Sequence, residues 1–275
     1  MLYRSLAMLL FCCISAIGNV IANEDDQVAI KQWHFSLSAG YGVIETPIAR
    51  NDDLEFYLYP RVSYYSDRFF IENTTLGYAV YEQGPVIIDV VGRLNEDGLY
   101  FKLDDVGVLS AVGFDAGRGE QFYGVDDVER DLSYLAGVAV NYDLDFVYAT
   151  AGYYHDISAV HHGDEIDLSL SKVLTIDQLS VRLELQANRK SRDLIDYYYQ
   201  ILPEESVIFV GTYQPGKASI NYQTSVSFDY QLSRRWSLTA FYRKTWLGDG
   251  ISDSLIIDTD SVDLFFTGVT YRFNR

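Results

Sequence analysis

The sequence predicts an all-β fold, namely a transmembrane antiparallel β-barrel of about twelve strands. Apolar and polar residues alternate with a period of two, over stretches of about 8 to 14 residues. After residue 22, the longest segment without Asp, Glu, Lys or Arg is Gln32–Ile44, thirteen residues long. A membrane-spanning helix needs about 20 apolar residues. The same part of the chain contains no cysteine, which excludes disulfide bonds and thiolate metal sites.

The N-terminal 22 residues have the features of a secretory signal peptide. Arg4 supplies a positive charge, residues 6–17 are apolar, and Val20 and Ala22 form a cleavage site of small or modest residues. The alternative is an N-terminal membrane anchor. Both cysteines of the chain lie in this segment, and Phe11 before Cys12 does not suit lipidation. We expect a signal peptide at 1–22.

The domain organisation that follows is simple. We expect residues 23–31 to form a periplasmic leader and residues 32–273 to form a single outer-membrane barrel. No composition shift, repeat of 20–50 residues or low-complexity segment divides the latter part.

The charge balance narrows the choice of partners. The chain has 39 Asp and Glu against 21 Lys and Arg, and its formal net charge is −18. Nucleic-acid binding requires clustered cations, so this balance argues against a nucleic-acid partner. Aromatic residues make up 15% of the chain, a fraction that disordered acidic chains do not reach.

Residues 218–231 show the alternation most clearly. Apolar residues and Thr224 fill the even positions, and Ser, Asn, Gln and Asp fill the odd ones. A soluble sandwich and a transmembrane barrel both produce this pattern. Long strands favour the barrel, because a tilted crossing takes about 9–11 residues and ordinary strands average about 5–6.

Aromatic residues near strand ends also favour the barrel, because interfacial girdles flank its apolar band. Those we assign to the girdles are Trp33, Tyr57, Tyr59, Tyr64, Tyr65, Tyr153, Tyr154, Trp236, Trp246 and Tyr271.

Connections alternate between short periplasmic turns and long external loops. The strands are predicted at 32–43, 54–65, 68–73, 75–82, 85–94, 131–143, 145–156, 164–175, 178–189, 217–231, 234–246 and 262–273. Residues 68–82 form either one bulged strand or a hairpin, because their apolar phase changes between Ile71 and Leu76. The hairpin gives twelve strands, and the alternative total is ten.

Four segments resemble the MipA/OmpV family of outer-membrane proteins, the MltA-interacting protein group. Tyr59–Phe70 resembles a proline–aromatic strand that runs into an Asp-Arg-Phe-Phe turn, and Asp196–Tyr199 resembles an Asp-Tyr-Tyr loop. Trp246–Ser254 resembles a Leu-x-Gly-Asp loop, and Gly268–Phe273 resembles the terminal Gly-x-x-Tyr-x-Phe. The four occur in family order.

The resemblance implies an outer-membrane barrel in contact with lipid and lipopolysaccharide. It further implies a scaffold or adaptor at the cell envelope that links a lytic transglycosylase, which cleaves murein, to a murein synthase. A passive channel for small solutes and a surface adhesion protein remain alternatives, because one fold hosts many roles.

No residue pattern indicates an enzyme or a cofactor. The chain lacks Gly-x-Ser-x-Gly and His-Glu-x-x-His, and we expect no catalytic residue and no cofactor. Imidazole and carboxylate groups of metal-ligand type cluster at His155, His161, His162 and Asp164, although their spacing matches no known metal loop.

Two further groups are candidates for a functional role. Arg182, Glu184, Asp229 and Arg243 fall on the polar face of their strands. They are expected either to line a conducting lumen or to pair across strands and close it. Glu24, Asp25 and Asp26 in the leader are candidates for contact with a basic partner.

Processing of the N-terminus follows directly from the signal assignment. We expect the exported protein to begin near Asn23, because Ala22 completes the cleavage site. N-terminal sequencing of the membrane-extracted protein measures this, and a chain that retains residues 1–22 would contradict it.

Overall fold

The computed structural model describes residues 31–49, 53–101, 128, 130–203, 205 and 211–273. The expected signal peptide and residues 23–30 of the expected leader, including Glu24, Asp25 and Asp26, lie outside these residues.

The described chain forms a closed barrel in which each strand pairs antiparallel with its neighbours in sequence, and β1 pairs with β12. The strands are β1 (Gln32–Ile44), β2 (Leu54–Tyr65), β3 (Phe69–Glu72), β4 (Thr75–Gln83), β5 (Val86–Leu94), β6 (Tyr134–Asp143), β7 (Tyr148–Asp156), β8 (Asp164–Ile176), β9 (Leu179–Lys190), β10 (Ser219–Gln231), β11 (Trp236–Trp246) and β12 (Ser261–Arg272). The predicted fold class is confirmed.

Among the described residues, three short helices lie in the external connections: α1 (Asp97–Tyr100), α2 (Arg192–Tyr199) and α3 (Asp249–Ser252). The sequence pattern predicts only long external loops at these positions. No helix of the described residues is long and apolar enough to cross a membrane.

Residues 68–82 form a hairpin, which decides between ten and twelve strands. Glu72 of β3 pairs with Thr75 of β4, and Asn73 takes the left-handed backbone conformation, with φ of 51°, that a tight turn needs. The phase change between Ile71 and Leu76 therefore marks the turn, and the barrel has twelve strands.

The pairing between neighbouring strands is shortest at this hairpin. β2 meets β3 only through Ser63, Tyr64 and Tyr65, whereas β1 pairs with β12 all along Ser36–Ile44. The Val62 N–H and C=O groups both form hydrogen bonds with Asn73, and they therefore point away from β1. The backbone groups of Pro60, two residues away, point in the same direction. A proline has no N–H, so this edge position leaves no donor without a partner.

Side chains alternate between lipid and lumen along each strand. On β8, Leu168 and Leu170 are about half exposed on the outer surface, and Ser169 between them faces the interior. Five turns of two to four residues lie at the end where β1 begins, and longer connections, apart from the two-residue β3–β4 turn, lie on the opposite side. By the usual rule for such barrels, the short turns are periplasmic.

Three aromatic residues that were assigned to the girdles lie inside the barrel instead. Tyr59 and Tyr154 are buried, and Tyr65 lines the interior and donates a hydrogen bond to Glu72. The prediction was wrong for these three, because position near a strand end does not reveal which face a side chain occupies. Trp33, Trp236 and Trp246 remain exposed, as girdle residues should be.

Two neighbouring positions in the middle of β8 test the lipid and lumen assignment. Leu170→Arg should cost about 2–4 kcal/mol, because it places a charge in hydrocarbon near the bilayer midplane. Ser169→Arg should cost much less, because it enters a polar, acidic interior. Urea unfolding in lipid vesicles measures both, and equal losses would contradict the assignment.

Candidate functional site: the barrel lumen

The lumen is divided into four regions, which together are the candidate functional site. An external cap covers the mouth, an ionic ceiling lies beneath it, an aromatic plug fills one side of the barrel, and a cavity occupies the other side.

The external cap is an apolar cluster built by several connections. Its buried members are Ile48, Leu194, Ile195, Tyr198, Tyr199, Ile201, Ile251, Ile256 and Ile257, and Tyr100 of α1 packs against them. These residues come from the connections after β1, β5, β9 and β11. The connections after β5 and β11 lie on opposite sides of the barrel, so the cap extends across the external mouth.

His161 fastens the β7–β8 connection to the cap. The backbone N–H of Gly163 donates to its Nδ1 over 2.9 Å, which leaves Nε2 to carry the proton and donate to Ser133 Oγ, 3.0 Å away. The Tyr198 hydroxyl of α2 donates to the same Ser133 oxygen. Burial lowers the pKa of His161 and outweighs the nearby carboxylate of Asp156, so the neutral ring is the form that fits.

The ionic ceiling consists of charged side chains that cross the lumen below the cap. Arg93 of β5 forms ion pairs with Glu165 and Asp167 of β8, although β6 and β7 separate these strands. Lys190 binds Asp97 of α1 and lies 3.7 Å from Glu165. Buried charges are tolerated only when they are paired and hydrogen-bonded, and these are both.

Amides and hydroxyls complete the ceiling. Asn95 donates to Glu165 over 2.9 Å, Asn188 donates to Asp167, and the Tyr199 hydroxyl of α2 donates to Asp97. The ceiling therefore joins the cap to the barrel wall through hydrogen bonds as well as ion pairs.

The aromatic plug fills the lumen beside β1, β2, β11 and β12. Phe56 and Phe266 stack with ring centres 5.5 Å apart, Phe241 stacks on Phe266 at 5.5 Å, and Tyr59 meets Phe241 at 5.6 Å. All four are buried. Gly42 permits this packing, because a Cβ there would lie 2.4 Å from the Phe56 ring.

A hydrogen-bonded polar network lies on the periplasmic side of the plug. Asp229 accepts hydrogen bonds from Ser237 (2.9 Å) and Thr239 (3.0 Å) and pairs with Arg272 at 3.0 Å. Thr270 joins Thr239 to Ser38. Plug and network together fill this side of the lumen with side chains.

The cavity occupies the opposite side and has a volume of about 960 Å³. Its upper boundary includes Asp97 and Tyr199 of the ceiling and cap, and its lower boundary includes Asp145 and Phe146 of the β6–β7 turn. The cavity thus extends from the periplasmic rim to the underside of the cap.

The structure places the four lumen candidates in different regions. Arg182 and Glu184 line the cavity, Asp229 belongs to the polar network, and Arg243 is buried with Glu96 of the β5–β6 connection 3.5 Å away. They do not form one site, and their effect on ion preference stays a prediction.

The histidine candidates point to different partners. His155 Nδ1 lies 2.7 Å from Asp164 on the outer, exposed side, whereas both ring nitrogens of His161 are used within the cap. The backbone N–H of His162 donates to Asp156. Among the described residues, no three His, Cys, Asp or Glu side chains are grouped so as to hold a metal ion.

Sequence reasoning missed the ceiling and the plug. The inward orientation of Arg93, Lys190 and Glu165 could have been predicted, since a charge in the apolar-alternating part of a strand must face a lumen. Which charges pair could not have been predicted, because Arg93 and Glu165 are 72 positions apart and meet only through closure of the barrel.

Comparison with known proteins identifies the family. The model described as MltA-interacting protein MipA matches residues 37–273. The chain belongs to this family. The MltA-interacting protein of Escherichia coli is 26% identical over 259 residues, which cover 94% of this chain and 97% of that protein. The putative outer membrane protein YiaT of Escherichia coli is 25% identical over 239 residues, covering 86% and 90%. This MipA-family barrel is accordingly an outer-membrane protein.

Solved structures of outer-membrane barrels also match. An outer membrane channel from Pseudomonas putida aligns with a TM-score of 0.40 and 10% identity, covering 91% of this chain and all of that one. The NanC porin aligns with a TM-score of 0.43 and 9% identity, covering 86% and 98%.

The contacts of His161 predict a pH-dependent cap. A proton on Nδ1 would face the Gly163 N–H and break that hydrogen bond. The neutral ring therefore contributes its full stabilisation of the cap above about pH 6.5, the pKa of His in the unfolded chain. This stabilisation is lost as the pH falls through the lowered folded pKa. Amide exchange of α2, corrected for intrinsic rates, should accelerate between pH 7.5 and 5.

The matched variant for this measurement is His161→Gln. Its amide oxygen can accept from Gly163 and its amide nitrogen can donate to Ser133, and neither group titrates. The extra exchange at pH 5 should disappear in this variant. The same pH dependence in both proteins would assign the effect to other groups.

Proposed function

We propose that this outer-membrane barrel is a non-enzymatic scaffold, which holds a murein-cleaving lytic transglycosylase, together with a murein synthase, at the periplasmic face of the membrane. The observation that carries the proposal is the packed external cap, which favours a binding role over a passive channel.

The energetics of the cap support this preference. A channel needs a continuous path, yet Leu194, Ile195 and Tyr198 are fully buried above the lumen. Full burial of a Leu or Ile side chain is worth about 1.5–3 kcal/mol, so moving α2 aside would expose several such contributions at once. The ionic ceiling would have to separate as well, because Tyr199 and Lys190 share Asp97.

The partner class is supported by the relatives. A protein that aligns along 97% of its own length with this chain is named for interaction with MltA. We transfer that interaction to this chain as part of the proposal, and the murein synthase comes from the family resemblance alone.

The contact region follows from the connection lengths. The five periplasmic turns have only two to four residues each, so they offer little surface beyond the rim of the barrel. The leader directly precedes β1, which begins at the periplasmic end, and its sequence contains Glu24, Asp25 and Asp26. Such a segment steers a basic partner surface through charge, an effect that weakens with salt.

Capture of a lytic transglycosylase tests the proposal. Detergent-solubilised barrel should retain the enzyme, and Glu24→Gln with Asp25→Asn and Asp26→Asn should lower retention by about threefold to tenfold at low salt. The matched control neutralises three external acids, Asp193→Asn, Asp253→Asn and Asp258→Asn, and should retain the enzyme fully. Equal retention by both variants would remove the leader from the interface.

Single-channel recording separates the scaffold from the passive channel. The unmodified barrel should show little steady conductance, and Leu194→Asp with Ile195→Asp should increase it by disrupting the cap. Leu255→Asp, on an exposed external position, is the control. Large steady conductance of the unmodified protein, together with no enzyme capture, would favour the channel instead.

A further inference from the structure

The cavity has no role in the proposed scaffold, and its chemistry is specific. We propose that it is a binding site for an organic polycation, a flexible amine with two or more ammonium groups, which enters from the periplasm. Its size suits such a ligand, because small-molecule sites generally occupy about 300–1,000 Å³.

The charge of the lining selects the ligand class. Among the residues that the structure describes, nine carboxylates and four cationic side chains line the cavity. In the ceiling, Arg93 and Lys190 form ion pairs with three of these carboxylates, and Glu96 pairs with Arg243. Five carboxylates then remain, against Lys172 and Arg182 in the lining and against Arg61 and Arg243, which lie near Glu72 and Glu184 outside it. Low-dielectric walls focus this surplus, which repels anions and attracts cations.

Two of these carboxylates are available to a ligand. Glu184 of β9 makes no hydrogen bond and no ion pair with any described residue, although Arg182 and Arg243 lie within electrostatic range. Asp89 of β5 accepts one hydrogen bond, from the Asn141 amide at 2.7 Å. Four strand positions separate β5 from β9 around the barrel, so the two carboxylates face the cavity from different walls. An extended amine with separated charges can reach both.

Aromatic rings provide a second, independent reason to expect a cation. The Arg93 guanidinium lies 3.9 Å from the centre of the Tyr154 ring, and the Lys172 ammonium lies 5.6 Å from that of Phe146. Both rings line the cavity, and they already attract cations of the chain itself. Tyr148 and Phe70 line the same space and offer further ring faces.

The direction of entry follows from the boundaries of the cavity. Cap and ceiling close its external end, while Asp143, Asp145 and Phe146 belong to the periplasmic end. Phe146 is two-thirds exposed, so the cavity wall continues into the solvent-facing rim. A cation from the periplasm thus meets acidic side chains first.

Spermidine is the probe for a calorimetric test on the folded full-length exported barrel. Binding should weaken as salt rises from about 50 to 300 mM. Glu184→Gln with Asp89→Asn should raise Kd by about tenfold or more, because two charge contacts are lost. Asp177→Asn with Asp193→Asn removes the same net charge outside the cavity and should leave Kd unchanged. Heat-modifiable gel migration verifies folding of each variant.

Glu184→Gln alone protects the test against misfolding, because it breaks no hydrogen bond or close ion pair with a described residue and removes only the longer-range attraction to Arg182 and Arg243. Equal affinity of the cavity variant and the control variant would overturn the proposal. So would equal binding of an uncharged diol or a dicarboxylate of similar length, which would indicate a polar cavity without charge selection.

Thiol labelling locates the site independently of affinity. Residues 23–275 contain no cysteine, so Ser169→Cys introduces a single thiol into the cavity wall. A cationic methanethiosulfonate should react faster than an anionic one, and spermidine should slow the reaction. Leu170→Cys, on the outer surface, should show no spermidine protection. Lack of protection at both positions would place the bound amine elsewhere and overturn the assignment.

Discussion

The need to pair every backbone N–H and C=O without help from water governs this structure. In hydrocarbon an unpaired backbone group costs several kcal/mol, so strands that cross a membrane must close into a barrel. Closure with twelve strands leaves an interior wider than one layer of side chains can fill from the wall alone. The aromatic plug, the ionic ceiling and the external cap fill part of that space. The plug does so with stacked rings, the ceiling with paired charges and the cap with apolar packing.

The closed lumen is asymmetric along the membrane normal and around the barrel axis. Glycine at position 42 allows the Phe56 ring to approach β1, which lets one side of the barrel be packed solid. The other side keeps polar walls, and its upper end is sealed by charges that meet across two intervening strands. The two sides of the lumen therefore differ in chemistry, with a packed aromatic side and a polar, open one.

Alternation was sufficient to predict the strands, because the period of two is a local property of the chain. Its change of phase within residues 68–82 favoured a hairpin over one bulged strand, and it located Glu184 and Arg182 on the lumen side. It failed for Tyr59 and Tyr154, whose inward orientation depends on the phase of each strand, not on closeness to its end. Pairings such as Lys190 with Asp97 were beyond reach, since they depend on barrel closure and on a helix in a connection that local patterns left irregular.

The short β3 strand has a mechanical consequence. Most neighbouring strands are held along most of their length, but β3 is joined to β2 only at Ser63, Tyr64 and Tyr65 and to β4 only through its four residues Phe69–Glu72. Under lateral tension in the bilayer, a cylinder yields along its least-bonded line. That line runs beside Pro60 and the Asn73 turn, two strands away from the β1–β12 junction that closes the barrel. The weakest seam of the barrel is thus distinct from its closing β1–β12 junction, and it lies next to Phe70 and Glu72 of the cavity wall.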